Sequence, residues 1–497
     1  MNLNHQQLIK EARQKNALYN TRRVFLKQFG MGLAGIAFGS CGRRKTNVAM
    51  KTPGSQGMAT AVGKLSHFAP KAKSVIFIHM AGAPSQLELF DYKPELHKLH
   101  NQDCPESLLK GKKFAFIRGV PKMLGPQAVF AQKGQSGAWL SNYLPHLSEV
   151  VDELTFLKAV HTNNFNHAPA QLLMHTGSDR VGRPSMGSWV TYGLGSENEN
   201  LPGFMVLTSG GFNPDAGKQV WGSGFLPSLY QGVHCRGKGD PVLFLGNPNG
   251  MNRGIRKASI DAINKVNKLT HQEFQDPETL SRIAQYEMAF RMQIAVPEVM
   301  NIKDEPAYIH QMYGTEPGAA SFANNVLLAR KLVEQGVRFI QLFDWGWDTH
   351  GNTRSGSVDF GLMEKCRQTD QPVAALIKDL KQRGLLEETL VVWAGEFGRT
   401  PMQENRNGVG LAYKGRDHHT DAFTVWMAGG GIKKGYTHGE TDEIGYSGIS
   451  GRQSIYDIQA TILHQLGFDH EDFTFQFQGR PFRLTDVEGE VIRDILA

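Results

Sequence analysis

Four stretches of the chain are short, almost wholly apolar and rich in β-branched or aromatic residues: SVIFIHMAG at 74–82, VRFIQLFD at 337–344, TLVVWAG at 389–395 and AFTVWMAGG at 422–430. Runs of this kind, lacking the alternation of a half-exposed strand, predict strands buried on both faces. Around them the pattern changes to a helical period. NNVLLARKLVEQG leads into the second run and VAALIKDLKQRG into the third, each ending in a glycine that suits a helix C-terminus, and SIYDIQATILHQLG follows the fourth. Strands alternating with amphipathic helices predict an α/β fold, a three-layer α/β/α sandwich around a mostly parallel sheet. Residues from about 256 to 335 are mostly helical in pattern, with PETLSRIAQYEMAFRMQI the clearest stretch. They read as a helical elaboration of a single domain spanning 71–497.

In open parallel sheets the ligand crevice lies beyond the carboxyl ends of the strands. Those ends are rich in ligand-type side chains. DWGWDTHGN supplies Asp344, Asp348 and His350; EFGRTP supplies Glu396 and Arg399; and KGRDHHTD, ahead of the fourth run, supplies Arg416, Asp417, His418, His419 and Asp421. Taken singly, each has a plainer reading as a loop carboxylate, a surface histidine or a turn cap. Gathered in one cleft, carboxylates and imidazoles need a cation to neutralise them. A divalent Zn, Mn or Mg ion held by nitrogen and oxygen ligands meets that need. Asp348, His350 and His419 are the expected ligands, together with Glu396 or His418. Arg399, with its planar fork of donors, is expected to hold an anionic oxygen of the substrate.

The charge of the chain sits at one end. Of the net +7, residues 1–45 carry +8, with nine basic side chains against Glu11, leaving −1 for the rest. The basic balance is therefore no nucleic-acid footprint. It belongs to TRRVFLK at 21–27, followed by the mildly apolar QFGMGLAGIAFGS and then Cys41. This is the pattern of a twin-arginine export signal, which implies a periplasmic or cell-envelope location. Cys41 is either a lipid attachment point, the only membrane link expected, or part of a segment removed by plain cleavage. Residues 46–70, rich in Gly, Ser, Lys and Ala, read as a linker. Beyond Cys41, Cys104, Cys235 and Cys366 are too few and too irregularly spaced for a disulfide framework or a cysteine zinc site, although one bridge stays open.

The order Asp-X-His, a strand into Ala-Gly-Glu-Phe-Gly, a His ahead of another strand, and then YDIQATILHQLG resembles the alkaline phosphatase and sulfatase superfamily. More closely, MAGAPSQLELFDYKPEL, NHAPAQLLMHTG, GRPSMGSWVTYGLGSENENLPGF, YEMAFRMQ, WDTHGN, WAGEFGRTP and GRDHHTDAF are similar to an exported branch of it, the domain-of-unknown-function 1501 family, from residue 74 to the C-terminus. The resemblance implies metal-assisted hydrolysis of a phosphate or sulfate ester, with an anionic small molecule or glycan ester as substrate. It also implies a nucleophile at the head of HAPAQLLMHTG, and there this sequence departs. Pro169, Thr176 and Gly177 keep the sulfatase frame, but the nucleophile position holds His167, with Ala170 and Gln171 where Ser and Arg would follow. With no cysteine or serine to convert, formylglycine chemistry is excluded. His167 is then a metal ligand, a structural residue or a nucleophile, and Asn166 beside it is a candidate amide donor to a bound anion. Further departures are Glu396-Phe397 in place of an Asp-His pair, and His79 where the first strand of the superfamily ends in a carboxylate. One metal is therefore expected rather than two. The alternative expectation is a non-catalytic binding protein of the cell envelope. Esterase chemistry at Ser85 lacks the Gly-X-Ser-X-Gly turn.

Overall fold

All four apolar runs form strands of one sheet. The computed structural model describes residues 66–497 except 212, 237–241, 243–245, 248–249 and 407–408; the expected export signal, Cys41 and the expected linker as far as residue 65 lie outside the described residues. In chain order the main elements are β1 (Ser74–Ala81), β2 (Leu154–His161), α1 (His167–Thr176), α2 (Met186–Leu194), β3 (Phe204–Ser209), β4 (Val233–Cys235), α3 (Arg253–Phe274), α4 (Pro277–Met300), α5 (Phe322–Glu334), β5 (Phe339–Trp345), α6 (Gly361–Gln382), β6 (Thr389–Ala394), β7 (Phe423–Ala428), β8 (Tyr436–His438) and α7 (Ile455–Gln465). The described residues belong to one compact unit, Met58–Ala497. No helix among them is long and apolar enough to cross a membrane.

Across the sheet the strands run β8-β2-β7-β6-β1-β5-β3-β4, with Gln453–Ser454 as a ninth short strand beside β2. β1 lies at the centre, Ile76 facing Ile340 of β5 on one side and Val391 of β6 on the other, both in parallel register. The period of two along each strand sorts its side chains into two cores. Ile76, Ile78, Leu342, Trp393 and Trp426 pack with α4, α5 and α6, whereas Val75, Phe77, Val392, Val425 and Met427 pack with α1, α2 and α7. Helices on both faces of a sheet buried on both sides make the three-layer sandwich. Cys104, Cys235 and Cys366 are buried and unpaired, so no bridge forms among them.

One strand departs from the parallel pattern. β7 is antiparallel to both of its neighbours, β2 and β6. The start of β7 therefore lies at the same edge of the sheet as the ends of β1, β5 and β6. Residues that precede one strand in sequence thereby join residues that follow three others.

Candidate metal centre

The loop after β5 carries Asp348 and His350. Trp347 anchors it, its ring fully buried and its Nε1 donating to Asp344 at 2.9 Å. That bond, with Ser209 and Lys365, occupies Asp344 away from the cleft. Asp348 and His350, two residues apart on this loop, turn to the same side, His350 Nε2 lying 2.9 Å from Asp348 Oδ1. Two close approaches fix the loop's position. A Cβ on Gly82, which sits at φ +110°, would come within 2.5 Å of the Asp348 nitrogen, and one on Gly415 within 1.9 Å of the His350 carbonyl carbon. Only glycine admits such contacts, so the turn after β1 and the KGRDHH segment both press directly on this loop.

His418 arrives from the other side. His418–His419 pairs antiparallel with Gly398–Arg399, and neighbours on a strand point to opposite faces. His418 faces Asp348 and His350, while His419 turns away and bonds the carbonyl of Tyr446. The expectation of His419 as a ligand is thus corrected by strand geometry. His167, the first residue of α1, completes the group. One nitrogen from each of His167, His350 and His418 and one oxygen of Asp348 lie within 4.8 Å of one another.

Each of the three rings is braced from behind. His167 Nδ1 donates to Glu396 Oε1 at 2.7 Å, His350 Nδ1 to Glu404, and His418 Nδ1 to the Phe165 carbonyl. These partners can only accept, so each Nδ1 carries the proton and each Nε2 presents a lone pair to the cluster. The Nε2 atoms of His350 and His418 are 3.1 Å apart, each beside Asp348 Oδ1, at 2.9 and 3.4 Å. His167 Nε2 is buried without a hydrogen-bond partner, 3.4 Å from the same oxygen. Facing lone pairs next to a carboxylate repel unless a cation lies among them. The donor set, three imidazoles and one carboxylate, fits a divalent metal.

Where no cation lies among them, the carboxylates raise the proton affinity of two of the three rings instead. Burial and the nearby Arg399 push the His418 imidazole down to about 4, leaving it neutral. Burial also pulls on His167, but hydrogen bonds to Asp348 and Glu396 outweigh it and raise it to about 9. For His350, burial is likewise outweighed, by Asp348 and Glu404, and the shift is upward. Burial would raise the Asp348 carboxyl, yet Arg399 and the three histidines hold it well below the ordinary carboxylate range.

Two expected roles change. Glu396, completely buried, receives Gly82 N at 3.0 Å, Gln171 Nε2 at 3.2 Å and His167 Nδ1, and stands 3.2 Å from His79 Nε2. It lies behind His167 rather than among the ligand atoms. Arg399 is also fully buried. Its Nε donates to the Ala83 carbonyl at 2.9 Å, one terminal nitrogen to the Arg416 carbonyl at 3.1 Å, and the other to Gly82 O and to Asp348. With its fork spent on two loops and a ligand, it positions Asp348 and leaves no face for a substrate. Asn166 is exposed at the start of α1 and makes no capping bond. His79 packs against His175, 3.2 Å away, outside the ligand group. Ser85 is inaccessible at 0% exposure, which removes the esterase reading. Asp417 accepts from the backbone of Phe116, Ile117 and His418, and Asp421 pairs with Ser447 and Arg452. Arg416 forms a fully buried ion pair with Glu88. Glu404 and Phe165 were not singled out in the sequence, since neither lies at a strand end and Phe165 contributes only a backbone oxygen.

The cluster opens on one side. A cleft of about 980 Å³ is lined by Asp348, His350, Trp345, Arg354, Phe360, Met363 and neighbouring residues. This is the size of a small-molecule site.

Residues 72–496 match the model of the family described as Protein of unknown function (DUF1501). The chain belongs to this family. No curated protein matches this DUF1501 chain. Among solved structures it is similar to the PsFucS1 sulfatase from Pseudoalteromonas sp., at 12% identity over 80% of this chain and 68% of that one, TM-score 0.37. It is also similar to the alkaline phosphatase of the Antarctic bacterium TAB5, at 11% identity over 80% and 97%, TM-score 0.30. A third is the phosphonate monoester hydrolase of Agrobacterium radiobacter, at 12% identity over 80% and 74%, TM-score 0.31.

Proposed function

We propose that this DUF1501 protein is an exported, metal-dependent hydrolase of a phosphate or sulfate ester that works without formylglycine. The observation that carries this reading is the convergence of three Nε2 lone pairs on one Asp348 oxygen, each ring fixed by its own acceptor behind. His167, Asp348, His350 and His418 would hold the ion, and the nitrogen-rich set favours Zn or Mn over Mg. A divalent ion there supplies a Lewis acid for an ester oxygen. The protein's part is to orient it: Glu396, Glu404 and the Phe165 carbonyl aim the rings, and Arg399 steers Asp348 and offsets its charge. His167 serves as a ligand rather than a covalent nucleophile, because Nδ1 is held by Glu396 and Nε2 faces the other ligand atoms.

A second reading, an envelope protein that binds anionic ligands without turning them over, draws support from one fact. The head of α1 offers neither a hydroxyl nor a thiol. The first experiment is metal content by mass spectrometry, on the native chain and on His350→Ala. Stoichiometric metal, lost in the variant, supports the hydrolase and directs a screen of phosphate and sulfate esters. Metal-free native protein after supplementation sinks it.

A further inference from the structure

Arg399 is spent, so an anionic substrate needs another cation, and the cleft beside the metal cluster has few to offer. Its charged lining residues are Asp348, His350, Arg354, Glu364 and Lys365. Lys365 is bound to Asp344 and lies over the Trp347 ring, and Glu364 makes two 2.9 Å bonds with Arg367. Asp348 is held by Arg399 and His350 by Glu404. Arg354 alone of these makes no ion pair among the described residues. Its guanidinium carbon lies 4.5 Å over the Phe360 ring, and Phe360 lines the same cleft.

We propose that Arg354, held over Phe360, is the subsite that takes the tetrahedral oxyanion of the substrate in this cleft. The inference rests on the hydrolase reading and names the residue that Arg399 was expected to be. Stacking uses the face of the guanidinium and leaves its in-plane N–H donors free, in the fork that matches a phosphate or sulfate. The ring also limits the side chain's freedom before binding, which lowers the entropic cost of capture. The loop is fixed as well. Ser357 Oγ donates to the Arg354 carbonyl at 2.7 Å, Gly351 N to Gly356 O at 2.6 Å and Val358 N to Lys414 O at 3.0 Å. The loop begins directly after His350, so metal ligand and anion subsite share one short segment, and the open cleft beside it has room for the organic part of an ester.

The test is calorimetric titration of the metal-supplemented full chain with inorganic phosphate and, separately, inorganic sulfate, for the native protein, Arg354→Ala, Arg354→Lys and Phe360→Leu. Metal content is measured for each. The expected result is binding of at least one ion by the native chain, weakened tenfold or more in Arg354→Ala and to a smaller extent in Arg354→Lys and Phe360→Leu, with metal content unchanged. The ion bound more tightly names the ester class. Equal binding by the native chain and Arg354→Ala overturns the subsite, as does a native chain that binds neither ion. Arg354-dependent binding to a chain without metal leaves the subsite standing and removes the hydrolase reading instead.

Discussion

His418 and His419 are separated into cluster member and bystander by a single strand alternation, and His350 stands on the cluster's side. His350→Ala removes an imidazole whose Nε2 is 2.9 Å from Asp348, whereas His419→Ala removes one that bonds Tyr446. Metal content should fall at least tenfold in the first variant and stay stoichiometric in the second. Equal loss in both would show that the cluster is drawn wrongly. His167 adds a pH signature. In metal-free protein its pKa is raised to about 9, since hydrogen bonds to Asp348 and Glu396 exceed the opposing effect of burial. A group raised on folding stabilises the fold fully below its unfolded value, near 6.5, and that stabilisation is lost as pH rises through about 9. Thermal melts of metal-stripped protein should therefore show Tm declining between those values, and His167→Gln should flatten the decline. An unchanged slope in the variant would assign the effect elsewhere.

The elements meet at the site by backbone contact as much as by side chain. The KGRDHH segment lies against the Asp348–His350 loop so closely that Gly415→Ala would put its Cβ 1.9 Å from the His350 carbonyl carbon. Backbone on both sides cannot yield, so the substitution should cost about 3 kcal/mol and lower metal affinity along with stability. Gly410→Ala, in the neighbouring short hairpin with nothing within 4 Å, is the control and should cost less than about 0.5 kcal/mol. Urea unfolding of both variants decides; comparable midpoints would mean that the two loops are free to part. The reversed direction of β7 belongs to this scale too. It carries His418 to the same edge as the loop after β5, which no parallel strand entering from the other edge would do.

For the molecule as a whole, the proposed export rests on Arg22 and Arg23, and it has its own check. Replacing both with Lys should leave the chain in the cytoplasm of a host with twin-arginine transport, and fractionation with an antibody to the folded domain would read this out. Envelope localisation of the double variant would argue for another route. The same scale shows how much of the protein is written locally. The central strands, their flanking helices and the strand-end position of Asp348, His350 and His418, which the fold brings together, were legible, because burial on both faces leaves an unbroken apolar run and polar side chains gather where such runs stop. The direction of β7 was not, since an apolar run carries no sign of which way it enters a sheet. Nor was the choice between His418 and His419, which depends on a two-residue pairing with Gly398–Arg399. Arg399 and Glu396 were found as site residues but given the wrong tasks: sequence shows that a guanidinium is near, while only packing shows that its donors are already taken. By itself, then, the sequence determined the α/β class through its periodicity, the family through the resemblance of its motifs, and the strand-end loops that meet at the cluster through local residue type. The tertiary structure decided which atoms face one another, because lone-pair direction, burial and the partners behind each ring are set by segments hundreds of residues apart, as Glu396 is from His167 and Gly82.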